Sequence, residues 1–354
     1  PVNNTSRAFI MPPHYYSPGQ ENVTPTDGNG AQTDHDWADY TIHLQNTSAI
    51  NVTRVATDSN ILMGWQLIEA TNNEFEVYRS QNSVTSTGLS FDLPIGATVN
   101  ASNSMAWVTG YRTTNTGRDI YDRLLLRAYV LNSTHVRFDR LDGTSSNAYI
   151  SWVVVEWNMS HIDSFDTGSA TVVGTTHTNA APLQVTLNHT VNVSNSIMFF
   201  QMNVDNSGLD QVAVAGYLAG STTIEFYTGS SGTTGDSNEP RPLRWYVIDF
   251  GDDSGHRQRG QIDRSSDTSW FDEDVAISQQ INLNSTISFV TNTHDGTGDA
   301  QPRPYPFVSW NDNETLNIYR TRYGQDSRIE WQILELPYAF NPDFPQFFNP
   351  GVNK

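Results

Sequence analysis

Twelve Asn-x-Ser/Thr triplets are the places where residue type and spacing together specify a chemistry. They begin at Asn3, Asn4, Asn22, Asn46, Asn51, Asn100, Asn132, Asn158, Asn188, Asn192, Asn284 and Asn313. Such a triplet is the acceptor for an asparagine-linked glycan in a secreted protein. Their number predicts a glycan-coated, extracytoplasmic surface, with Asn132, Asn188 and Asn313 beside expected turns. The competing reading is structural, because Asn, Ser and Thr are also the residues from which turns are built.

Other reactive groupings are sparse. The sequence contains no nucleophile elbow, no His-Glu-x-x-His zinc helix and no phosphate-binding Gly-rich loop with Lys. The nine histidines are scattered, with no two at the spacing of a local metal pair on a helix. These features predict a protein that is not an enzyme. Acidic turns at Asp34-His35-Asp36, residues 205–210, Asp252-Asp253 and Asp272-Glu273-Asp274 gather several oxygens each. Calcium takes about 6–8 oxygen ligands and tolerates irregular loops. Asp205 and Asp210 are therefore the candidate ligands of a calcium ion, and no other cofactor is expected.

Composition narrows the class further. The chain of 354 residues carries 38 Asp+Glu against 19 Lys+Arg, a net charge of −19, and no cysteine. Binding to nucleic-acid phosphates needs the opposite charge, so no nucleic-acid partner is expected. An anionic membrane surface is disfavoured for the same reason, and no apolar run is long enough for a membrane-inserted helix. Without Cys there is neither a disulfide framework nor a thiolate metal site. Lys354 is the single lysine, and an acidic, Lys-poor composition points to an archaeal or saline source.

The elements that must carry these residues are strands. Short runs of Val, Ile, Tyr, Phe, Trp and Thr are punctuated by Gly, Asn, Asp, Ser and Pro, with no extended helical periodicity. One strand recurs four times as Trp followed by three residues and an acid. The copies start at Trp65, Trp152, Trp245 and Trp331, at spacings of 87, 93 and 86 residues. An Asn-Ser/Thr pair precedes each copy, at Asn4-Thr5, Asn103-Ser104, Asn195-Ser196 and Asn284-Ser285. Copies two to four also have leading strands, around residues 75–79, 90–93, 183–187 and 275–281, that the first copy lacks.

The expected fold is therefore all-β, with four tandem antiparallel β-sandwich repeats of about 89 residues. Its boundaries are 1–70 (without leading strands), 71–157, 158–250 and 251–337, followed by a Pro/Phe-rich tail at 338–354. Short polar links, such as 158–160 and 251–260, are expected between them. Alternate residues of the recurring strand are apolar on both faces, which predicts a central strand covered twice, with the four Trp as core anchors. The four acids are expected to accept backbone N–H groups at the strand exit or to pair with Arg.

Residues 102–157 resemble the H-type lectin domain. The resemblance rests on Ser104-Met105-Ala106-Trp107-Val108, an Arg-rich strand over 122–129, a strand at 134–138, and an alternating strand at 149–157 that carries Trp. It implies a six-stranded antiparallel sandwich with an adhesive role. No sugar-contacting residue of that family maps onto a position here, and the acid after the Trp strand departs from its pattern.

The tail holds Phe340, Phe344, Phe347 and Phe348 among prolines. Phe is costly to leave in water, so these are expected to dock, as assembly residues, on the incomplete first repeat of a neighbouring chain. On this reading the molecule is a four-domain rod joined head to tail into a homopolymer. It would be a structural and adhesive subunit of an extracellular filament or cell-surface assembly. The alternatives are a virion spike, fibre or capsid-decoration protein, which suits Pro1 exposed by Met removal, and a carbohydrate-binding lectin with glycan partners.

Overall fold

The computed structural model describes residues 2–11, 20–21, 40–54, 61–62, 65–70, 72–84, 88–113, 126–140, 148–174, 176–203, 214–229, 240–251, 256–264, 271–293, 307–320 and 327–335. Over these the chain is all-β, folded into several small antiparallel sheets and interrupted only by one-turn 3-10 helices. No helix is long and apolar enough to cross a membrane.

The first segment contributes β1 (Ala8–Met11), β2 (Gln20–Glu21), β3 (Tyr40–Asn46), β4 (Ala49–Arg54), β5 (Ile61–Leu62) and β6 (Gln66–Glu69). The second has β7 (Phe75–Val84), β8 (Ser90–Pro94), β9 (Ser104–Thr113), β10 (Arg127–Asn132), β11 (His135–Asp139) and β12 (Ala148–Trp157). The third has β13 (Ser164–Val173), β14 (Leu183–Thr186), β15 (Ser196–Met202), β16 (Ala215–Gly220), β17 (Thr223–Tyr227) and β18 (Pro240–Asp249). The fourth has β19 (His256–Arg264), β20 (Phe271–Ala276), β21 (Thr286–Asn292), β22 (Phe307–Trp310), β23 (Thr315–Arg320) and β24 (Ser327–Glu335).

Strand order recurs. β7-β12-β9, β13-β18-β15 and β19-β24-β21 each place the Trp-bearing strand in the middle, and β10-β11-β8, β14-β17-β16 and β20-β23-β22 are their partner layers. In the first segment β1 pairs with β6, β2 with β5 and β3 with β4. A single pair, Tyr40 with Tyr111, joins β3 to β9 and extends that sheet to the order β4-β3-β9-β12-β7. Gly110 permits this approach: a Cβ there would lie 2.5 Å from the Tyr40 carbonyl oxygen.

The central strands are buried on both faces, as their two-sided apolar pattern requires. In β12, Trp152 and Val154 lie on one face and Val153, Val155 and Trp157 on the other, all buried. Trp152 packs edge-on against Phe138 of the partner layer. Trp245 and Trp331 are also buried, whereas Trp65 is half-buried against a small cluster of Val2, Ala8, Ile10, Tyr40, Ile42 and Leu44.

Two expectations are corrected. Residues 251–260 are not simply a link, because 256–264 form β19, a full edge strand of the fourth segment. Its sequence is polar almost throughout, so no apolar alternation marks it. Its evident packing device is Gly260, where a Cβ would lie 2.4 Å from Cζ2 of Trp331; Gly168 stands in the same relation to Trp245. The second correction concerns the Asn-Ser/Thr mark. Strand register aligns Asn4, Asn100, Asn192 and Asn282, each four residues before the strand position opposite the acid. Asn103, Asn195 and Asn284 belong to other positions of the same turn.

Gly260→Ala is expected to lower stability by about 1–3 kcal/mol, since the indole has to move off the strand. Urea unfolding checks this, and an unchanged midpoint would show that the contact carries no constraint.

Candidate functional site

Each recurring acid leaves its strand beside the turn that starts the neighbouring strand. Asp/Glu placed there can satisfy turn N–H groups that no strand partner reaches. Glu69 Oε1 accepts from the N–H groups of Asn3 (2.5 Å) and Asn4 (2.9 Å). Glu156 Oε1 accepts from Asn100 N (2.8 Å), Asp249 Oδ2 from Asn192 N (2.7 Å), and Glu335 Oε1 from Asn282 N (3.1 Å). The acids thus clamp backbone, one of the two tasks expected of them. The Asn in turn caps its own loop, with Asn100 Oδ1 accepting from Ser102 N (3.1 Å) and Oγ (2.8 Å), and Asn4 Oδ1 doing the same for Ser6.

This Asx turn recurs at other Asn-x-Ser/Thr triplets. Asn46 holds Ser48, Asn132 holds Thr134, and Asn158 holds Ser160 through both N–H and hydroxyl. Asn192 holds Ser194 N, and Asn51 accepts from the Thr53 hydroxyl. Asn46, Asn100, Asn132, Asn158, Asn188 and Asn284 are exposed; Asn51, Asn192 and Asn313 are half-buried. At two of these sites Nδ2, the atom a glycan would occupy, already donates: Asn188 Nδ2 to buried Asp166 Oδ1 (2.9 Å) and Asn158 Nδ2 to Asn73 O (3.2 Å). Asn22, Asp205, Asp210, Phe340, Phe344, Phe347 and Phe348 lie outside the described residues. Among the described residues no group of three or more His, Asp or Glu is placed to hold a metal.

The polar chemistry that sequence reasoning missed lies between segments. Four residues occupy one register position, the residue after the recurring Trp: Gln66, Val153, Tyr246 and Gln332. Three of them reach a main-chain group of another segment. Tyr246, fully buried, has its hydroxyl 3.1 Å from Ala128 O and 3.3 Å from Ala106 O. Gln332 Nε2 donates to Met198 O (3.4 Å). Gln66 Nε2 donates to Ser288 O (3.1 Å) and to the Ser288 hydroxyl, while Ser288 N donates back to Gln66 Oε1 (3.2 Å).

Ala106, Met198 and Ser288 are themselves equivalent positions, on β9, β15 and β21. The third segment therefore bonds to the second, the fourth to the third, and the first to the fourth. A second equivalent set follows the same rule: Thr109 Oγ1 donates to Ile42 O (2.8 Å), Gln201 Nε2 to Ala128 O (3.4 Å), and Gly216 N to Thr291 Oγ1 (3.3 Å). With the first segment bonded to both the second and the fourth, the expected rod is overturned.

The strands opposite these residues bring aromatic rings together. Trp107, Phe199 and Phe289 sit opposite Val153, Tyr246 and Gln332. They meet edge-to-face at centroid distances of 6.3 Å (Trp107–Phe199), 6.2 Å (Trp107–Phe289) and 5.4 Å (Phe199–Phe289). Met11, opposite Gln66, belongs to the same buried core.

Electrostatics differ from seam to seam. Between the third and fourth segments Glu330 is buried, accepting from Tyr227 OH (2.6 Å) and Gln261 Nε2 (2.9 Å). Burial pushes its carboxyl above the usual glutamate value of 4.5, against the opposing pull of Tyr227 and of Arg259. Arg257, donating to Val193 O and Leu218 O, is held down to about 10, mainly by burial.

A carboxyl with a raised pKa in the folded state favours folding while protonated. That contribution is lost as pH rises from the ordinary glutamate value through the raised one. Glu330→Gln is therefore expected to flatten the fall in Tm over that window relative to the parent chain. Parallel pH-dependent melting curves would contradict the burial assignment.

The chain matches no protein-family model, no curated protein and no solved structure.

Proposed function

We propose that the chain is a non-enzymatic structural subunit of an extracellular surface assembly. In this reading it consists of four β-sandwich repeats, phased by Trp spacings of 87, 93 and 86 residues and closed on one another in a ring. The first repeat lacks the two leading strands of the others. The observation that carries the proposal is the use of equivalent register positions at successive seams, where buried polar side chains are spent on holding the main chain of the next segment.

Exposed Asn46, Asn100, Asn132 and Asn284 suit an outer surface carrying glycans. The resemblance to H-type lectins supports an adhesive, sugar-binding role for the same surface. Because the first and fourth segments are bonded to each other, copies would join through their outer faces rather than tail to head. A virion coat or spike component is the second reading, favoured by the same closure, since a block closed on itself suits the tiling of a shell.

Electron microscopy and intact-mass measurement of natively produced protein test the proposal. Ordered arrays, filaments or shells, with a mass above that of the bare chain, are expected. Isolated particles at every concentration would sink the assembly reading, and a bare mass would remove the glycan coat.

A further inference from the structure

At the seam between the first and second segments lies a small, partly open cavity lined by Phe9, Ile10, His43, Leu44, Arg79 and Thr109, with Trp152 and Val153. Its free interior of about 10 Å3 holds about one water-sized sphere. Two nitrogens of its wall, Arg79 Nη1 and His43 Nδ1, are sealed from solvent and have no hydrogen-bond partner. Arg79 is half-buried, and holding one edge of a guanidinium out of water without a partner is costly.

The equivalent seam between the third and fourth segments shows what is missing. Arg259 holds the register position of Arg79, each opposite the residue after the recurring Trp. Tyr217 holds the position of His43 in its hairpin, and the Arg259 guanidinium lies 4.5 Å from the Tyr217 ring centroid. There the residue before the Trp is Glu330, a buried carboxyl whose pKa Arg259 pulls down against the effect of burial. At the first seam the same place is taken by Ser151, whose hydroxyl is engaged with Thr109 (3.0 Å) and the Gly110 carbonyl (3.3 Å). The basic residue is kept and the carboxylate is absent.

We propose that this cavity binds one small monatomic anion, a chloride ion, between the Arg79 guanidinium and an N–H of His43, in place of the carboxylate that the other seam carries. The small free volume and the largely apolar remaining wall suit a single, weakly hydrated halide. The ion would neutralise the guanidinium and tie the first segment to the second. Burial holds Arg79 down to about 10 and also lowers His43, with Arg79 acting in the same direction.

Crystals of the full chain soaked in sodium bromide test this by anomalous scattering. A bromide peak in contact with Arg79 Nη1 and His43 Nδ1, lost in Arg79→Met, is the expected result. A cavity that is empty or holds only water, with bromide bound elsewhere, overturns the proposal. A peak that persists in Arg79→Met overturns the role of the guanidinium. Should Arg79→Met fail to fold, Ser151→Glu serves instead: its carboxylate should evict the bromide, and a peak persisting beside it contradicts the inference.

Discussion

Trp107→Ala is expected to lower the free energy of unfolding by about 3–5 kcal/mol, the range for large aromatic truncations in cores. Trp107 is 2% exposed and is the point where rings of three segments meet. Removing the indole strips edge-to-face partners from both Phe199 and Phe289 and leaves a void between sheets, where no single segment can collapse to fill it. Trp152→Ala should cost a similar amount, but its aromatic partner, Phe138, and its indole acceptor, Asn82, lie in its own segment. The two variants therefore separate in cooperativity. In urea, Trp107→Ala should broaden or split the transition followed by fluorescence, whereas Trp152→Ala should mainly shift it. A Trp107→Ala chain as stable as the parent would mean that the segments do not share a core.

Gln201→Leu is the second large expectation, at about 2–5 kcal/mol, because a buried polar group stripped of its partner costs its full desolvation. Gln201 is 2% exposed, and its amide serves both directions of one strand: Nε2 donates to Ala106 O (2.6 Å) and Oε1 accepts from Val108 N (3.1 Å). Leucine matches the volume and removes these bonds together with the longer one to Ala128 O, leaving Val108 N without its side-chain acceptor and Ala106 O with the Tyr246 hydroxyl at 3.3 Å. Gln201→Glu would keep the size and the acceptor, so a smaller loss is expected at low pH, where a protonated carboxyl donates again. Equal stability of Gln201→Leu and the parent in thermal and urea unfolding would show that water replaces the amide.

Much of this architecture was legible in the sequence, for identifiable reasons. The strand carrying Trp152 is apolar on both faces, and a two-sided pattern of that length has few solutions other than a covered central strand. The acid that closes it recurs with the same neighbours, so its backbone-clamping task could be anticipated from Glu69, Glu156, Asp249 and Glu335 together. Strand β19 escaped because an edge strand lying under an indole needs a glycine rather than an apolar face. The seams escaped for a different reason. Gln66, Tyr246 and Gln332 share a register position but not a residue type, and each hydrogen bond spans more than a hundred residues of chain. What they have in common is visible only once the strands are aligned on the Trp. The same alignment sets Ser151 against Glu330 and Arg79 against Arg259, the contrast on which the anion site rests.

The bonding of Gln66 to Ser288 makes closure of the chain the central claim, and small-angle X-ray scattering of the dilute monomer tests it most directly. For 354 residues packed as one closed body the radius of gyration should be about 20 Å. Four sandwiches strung in a line would give roughly 35 Å by the same size scaling, with the elongated distance distribution of a rod. A value near the first figure, with a single symmetric distance peak, is the predicted result; a value near the second would contradict the closed arrangement.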